Sequence, residues 1–152
     1  MESNSLQSHV DDTEDVARML FSPLFIDKGQ LSPTAFALRV FNDTPETYIS
    51  VLRTCFDCFL SDTEQIKPPY ANTIYGYALL NVGEVRGIKI LSEQDIRFDV
   101  LSRGIGKLKS HAGIFVTIDQ KLLKGGQRPP SLLRIQNKLL RIAENRVVKL
   151  LK

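Results

Sequence analysis

The sequence predicts an α+β domain: a small, mostly antiparallel sheet, short helices early in the chain, and a long amphipathic helix at its end. Three observations predict it. "IYGYALL", "IRFDVLS" and "HAGIFVTID" alternate or run apolar over strand lengths. "PPSLLRIQNKLLRIAENRVVKLLK", which closes the chain, keeps its apolar residues at helical spacing. At 152 residues the chain holds one core of ordinary size, and nothing repeats at a fixed period.

In chain order, residues 1–10 show no periodic pattern and are expected to be a disordered tail. The α+β domain is expected over residues 11–128, with the basic helix as a third segment over 129–152. In "DDTEDVARMLF", Asp11 or Asp12 caps and Glu14 and Asp15 suit a first helical turn, so a short helix is expected there. "FSPLFIDKGQLSP" reads as irregular chain with turn chemistry at "DKG". Ser32 followed by Pro33 opens a short helix through Leu38. "TPETYISVLRTCFDCF" has apolar residues at helical spacing, but its β-branched run Thr47 to Val51 favours a strand over 48–54. "SDTEQIKPPYANT" reads as a loop.

A strand follows over 74–80. There Gly76 and Ala78 alternate with Tyr75 and Tyr77, so another element is expected to lie close to the small residues. "NVGEVRGI" gives one or two helical turns. "IRFDVLS" sets Ile96, Phe98 and Val100 against Arg97, Asp99 and Leu101, as in a half-buried strand. "HAGIFVTID" is the strongest strand, and "KGGQRPP" ends the sheet-forming part.

The terminal segment gives the sharpest functional signal. Stepped at 100° per residue, Leu132, Ile135, Leu139, Ile142, Ala143 and Leu150 fall in one sector, extended by Leu140, Val147 and Leu151. Arg134, Lys138, Arg141, Lys149 and Lys152 fall opposite. Each fully buried Leu or Ile is worth roughly 1.5 to 3 kcal/mol, so the apolar sector must dock on the sheet or on a second copy. A helix of this length exceeds about 30 Å, so its end is expected to protrude and support a homodimer.

Charge is divided in the same way. Residues 103–152 sum to +10 and residues 1–102 to −7, which gives the net +3. The two parts either neutralise each other by packing or leave a basic surface for an anionic partner. A row of cations suits nucleic-acid phosphates or an acidic protein. A membrane-surface helix would carry Trp or Phe, and this one has neither.

Other chemistries find little support. No run reaches the roughly 18 to 20 apolar residues of a spanning helix. The polar, acidic N-terminus lacks the pattern of a secretory signal, so a cytoplasmic protein without membrane contact is expected. Cys55 and Cys58 are expected to be reduced and packed beside Phe56 and Phe59. With His9 and His111 the only histidines, no metal site or cofactor is implied. His111 follows "SRGIGKLKS", which brings Arg103, Lys107 and Lys109 near it in sequence. A small enzyme or nucleotide-binding domain would use His111 as its catalytic imidazole, those cations on phosphate, and Arg53 and Asp99 as neighbours. "GIGK" lacks P-loop spacing, and no H-E-x-x-H, G-x-S-x-G or paired-carboxylate motif occurs.

Taken together, "FSPLFIDKGQLSPTAFAL", "YISVLR", "YGYALLNVGEVRGI" and "SHAGIFVTI" resemble an uncharacterised bacterial family. The likeness covers residues 21–118. It implies a compact α+β domain with no assigned activity and does not extend to the basic helix.

Overall fold

The computed structural model describes residues 9–37, 40–41, 44–45, 48–89, 96–102, 108–117 and 130–150. Among them the α+β class is realised as an antiparallel sheet with a few helices. The strands are β1 (Asp15–Ser22), β2 (Ile26–Asp27), β3 (Gln30–Leu31), β4 (Val40–Phe41), β5 (Thr44–Pro45), β6 (Tyr48–Arg53), β7 (Thr73–Asn81), β8 (Arg97–Ser102), β9 (His111–Thr117) and β10 (Val147–Lys149). The helices are a 3-10 turn (Pro33–Phe36), α1 (Phe59–Glu64), α2 (Val82–Arg86) and α3 (Pro130–Ala143). Six strands form the main sheet in the order β10-β7-β1-β6-β9-β8, every neighbour antiparallel. β2–β3 and β4–β5 are separate two-stranded ribbons.

β1 is the main departure from the sequence reading: residues 15–22 form a strand between β6 and β7, not a helix. The local helix signal is still visible. The Glu14 N–H donates to the Asp11 carbonyl at 3.0 Å, and the Asp11 N–H donates to Glu14 Oε2 at 2.9 Å. That is half of a capping box, realised as a single turn. What wins is burial on two faces. Val16 and Leu20 enter one core cluster, while Ala17 and Met19 enter another on the opposite side of the sheet. A helix with one apolar stripe cannot fill both.

The larger cluster joins Val16, Leu20, Ile49, Val51, Ala78, Leu80, Val100 and Ile114 to Phe36, Val85, Ile135 and Leu139. The 3-10 turn, α2 and α3 therefore cover this face. Ser32 caps as expected, accepting from the Thr34 N–H at 3.3 Å, but the turn is 3-10 and ends at Phe36, short of Leu38. Asn81 caps α2 by accepting from the Glu84 N–H at 3.0 Å. On the other face Phe59 of α1 packs with Met19 and Leu52. α1 begins two residues before the stretch read as a loop and takes in its first four residues, because Phe59, Asp62 and Thr63 all turn inward. "FSPLFIDKGQLSP" is also more regular than expected. Its first two residues extend β1, and "DKG" makes the β2–β3 turn with Lys28 and Gly29 both at positive φ.

The terminal segment needs the second correction. α3 spans 14 residues, about 21 Å, and ends at Ala143. After a turn at Glu144 and Asn145, Val147–Lys149 becomes β10 and pairs with β7, Val148 opposite Tyr77 and Lys149 opposite Gly76. Two adjacent β-branched valines beside an unfilled strand edge favour extended chain. Gly76 admits this close approach: a Cβ there would lie 2.9 Å from the Lys149 Cα. The small residues of β7 thus mark a neighbouring element, as their alternation implied. Val10, assigned to the tail, is buried at 2% exposure in the core. Residues 1–8 lie outside the described residues.

Candidate functional site

α3 builds the candidate partner face. Ile135, Leu139 and Ala143 are fully enclosed, and Leu140 and Ile142 pack against the same cluster. Gln136 is also buried, which apolar periodicity did not reveal. Arg134, Lys138 and Arg141 are exposed, as is Leu133 at 58%. At positions i, i+4 and i+7 they follow one side of the helix over about 10 Å. Lys149, grouped with them by helical spacing, lies instead on β10, its ammonium 5.5 Å from the centre of the Tyr75 ring. Leu150 packs in the second cluster, across the sheet from α3. Leu132 has no described side chain, and Leu151 and Lys152 lie outside the described residues.

Among the described residues, the acidic segment 11–15 finds its partners away from α3. Asp11 meets His9 at 2.7 Å, Asp12 meets Arg86 at 2.7 Å, and Asp15 grips Arg146 through two bonds of 2.7 and 3.1 Å. The hydrogen bonds that Arg146 donates to Asp15 raise its pKa above the ordinary value. Glu14 takes Arg53, whose side chain is wholly buried: Nε donates to Oε1 at 2.9 Å and Nη2 to Oε2 at 2.8 Å. Arg53 also donates to the His9 carbonyl at 2.7 Å and stacks over Phe56 at 4.8 Å. Burial pushes the Glu14 carboxyl up, but the hydrogen bonds from Arg53, the Asp11 N–H and Cys55 outweigh it and hold it below its usual value.

His111 opens β9 opposite Leu52 and is half-buried. Its Nε2 lies 3.4 Å from Ser50 Oγ, and its ring meets Tyr48 edge-on at 6.4 Å. Lys109 is exposed two residues earlier, while Arg103 and Lys107 lie outside the described residues. Arg53 is not beside His111. It follows Leu52 and so projects to the opposite side of the sheet, toward Glu14. Asp99 is held by Arg86 at 2.8 Å on β8. Arg53 and Asp99, the two neighbours expected of His111, are thus committed to other contacts.

Sequence reasoning missed two buried arrangements. One is the Glu14–Arg53 pair. The other is buried Asp62, which accepts from Ser110 Oγ at 2.6 Å and from the Ser110 N–H at 3.1 Å. A basic residue in an otherwise apolar strand, "YISVLR", was the available signal for the first. Nothing local marks the second.

Among the described residues no cluster of three or more His, Cys, Asp or Glu side chains is placed to hold a metal ion. No described helix is long and apolar enough to cross a membrane. Family models, curated proteins and solved structures give no match to this chain. The resemblance to a bacterial family rests on its sequence fragments alone.

Proposed function

We propose that the chain is a non-enzymatic interaction module whose α3 outer face takes an anionic partner, the sugar-phosphate backbone of a nucleic acid first. One observation carries this reading. α3 docks its apolar side through Ile135 and Leu139 and turns Arg134, Lys138 and Arg141 outward, while Asp11, Asp12, Glu14 and Asp15 pair with other residues. Cations spaced one helical turn apart suit phosphates by charge without requiring base recognition. The buried side of α3 is used within its own chain, so a homodimer through this helix would form on the outer face around Leu133.

The test is fluorescence anisotropy with labelled duplex and single-stranded oligonucleotides across a salt series. Phosphate contacts by Lys138 and Arg141 predict a log–log salt slope of roughly −1 to −2. The double charge reversal Lys138→Glu with Arg141→Glu should weaken binding at least about tenfold and flatten the slope, and His111→Ala should leave binding unchanged. Polyglutamate of matched charge serves as competitor. Displacement at equal concentration would assign the face to an acidic protein instead. No binding at low salt, or binding indifferent to the reversal, would end the proposal.

A further inference from the structure

Cys55 and Cys58 are free thiols three residues apart, between β6 and α1, with Cys55 exposed and Cys58 half-buried. Each donates to a different carboxylate. Cys55 Sγ lies 3.2 Å from Glu14 Oε1, and Cys58 Sγ lies 3.4 Å from Asp62 Oδ2. Those carboxylates are linked through the protein interior. Glu14 holds the Arg53 side chain, the Arg53 N–H donates to the Ser110 carbonyl at 2.7 Å, and Ser110 donates to Asp62. A hydrogen-bonded chain therefore starts on one thiol, passes through buried Arg53 and buried Asp62, and ends on the other. The same chain fixes two neighbouring segments: residues 9–15, through Arg53 to His9 and Glu14, and residues 108–111, through Asp62 to Ser110.

We propose that Cys55 and Cys58 form a two-electron dithiol–disulfide switch that loosens these two segments on oxidation. A disulfide has no S–H, so joining the sulfurs removes the donor from both ends of the chain at once. Burial, and then the adjacent carboxylates Glu14 and Asp62, raise both thiol pKa values, so the resting state is the protonated dithiol that the hydrogen bonds require. The oxidant is a small-molecule disulfide such as oxidised glutathione. Cys55, the exposed sulfur, loses its proton and attacks one glutathione sulfur, expelling the other as thiolate. Cys58 then loses its proton and attacks the Cys55 sulfur of the mixed disulfide, expelling the second glutathione. One protein dithiol and one oxidised glutathione give one protein disulfide and two reduced glutathiones.

The test incubates the full chain in glutathione buffers of increasing oxidised fraction, then combines thiol alkylation, mass spectrometry and amide hydrogen exchange. The expected product is lighter by two hydrogens, carries no alkyl group on either cysteine, and retains no glutathione. Amides in residues 9–15 and 108–111 should exchange about tenfold faster than in the reduced chain, with α3 unchanged. Cys58→Ser keeps a hydroxyl donor for Asp62 but should arrest at the glutathione adduct on Cys55. A wild-type chain that stops at that adduct, stays reduced throughout, or closes the disulfide without faster exchange in both segments overturns the proposal. The exchange comparison uses only the unmutated chain, so a variant that fails to fold does not affect it.

Discussion

The acidic residues 11–15 and the basic helix α3 are both dense in charge, and they use it in opposite ways. Each of the four carboxylates of residues 11–15 meets a nitrogen-bearing side chain from another position: His9, Arg86, Arg53 and Arg146. Three of those arginines sit on or beside β6, α2 and β10, so the segment ties distant parts of the chain to the start of β1. α3 instead keeps one side for the core and gives the other to solvent. Charge density alone does not distinguish a structural clamp from a docking face. The packing differs too: the apolar residues of β1 fill two opposed faces, as Val16 and Ala17 do, while those of α3 fill one, as Ile135 and Leu139 do.

The largest effect should come from breaking the clamp at its buried member. Glu14→Ala leaves the Arg53 guanidinium enclosed without its carboxylate, and loss of one partner of a buried pair costs about 3–5 kcal/mol. Urea unfolding reads this directly. A Glu14→Leu, Arg53→Met double variant should recover much of the loss, since apolar replacement of the whole pair removes the stranded charge. A loss below about 1 kcal/mol for Glu14→Ala would put the pair in the same class as exposed ones. The pH dependence has a definite sign. The Glu14 pKa is lowered in the folded chain, so its contribution is full above the unfolded value of about 4.3 and is lost as pH falls through the folded value. Glu14→Gln should remove that component of acid destabilisation.

The next effect tests the docked side of α3. Leu139 is fully buried, and Leu139→Ala should cost about 2–5 kcal/mol, with the spread set by how far the 3-10 turn and β7 relax around it. The circular-dichroism helix signal at low temperature should persist, because α3 stays folded while the whole domain weakens. If unfolding splits into two transitions with α3 melting first, the helix is an appendage rather than part of the core.

Much of this was legible before any coordinates, for identifiable reasons. β7 and β8 declare themselves through alternation, β6 through its β-branched run and β9 through its apolar length, all of which a short window contains. The inward and outward sides of α3 follow from spacing alone, down to Arg134, Lys138 and Arg141. What escaped depends on contacts far along the chain. Asp15 and Arg146 are 131 positions apart, Glu14 and Arg53 are 39, and neither partner's window mentions the other. β1 was misread because Asp11 and Glu14 do make a helix-like turn, and only the two-faced sheet packing overrides it. β10 was misread because Val147 and Leu150 fit a helical wheel as well as an edge strand, and the vacancy beside β7 decides between them.

The smallest effect should come from the outer side of α3. Lys138→Gln with Arg141→Gln removes two exposed cations from a helix whose opposite side is untouched, so stability should move by no more than about 0.5 kcal/mol. Loss of Arg141 from the last turn costs a few tenths through the helix dipole, which sets the expected direction. The same variant should show reduced oligonucleotide affinity, and this dissociation of binding from stability separates a docking face from a clamp. Were the pair to cost more than about 1 kcal/mol in urea unfolding, the cations would be structural partners of other side chains, as Arg146 is of Asp15. The contrast between the two charged regions would then be one of degree, and α3 would have no more claim to a partner than residues 11–15.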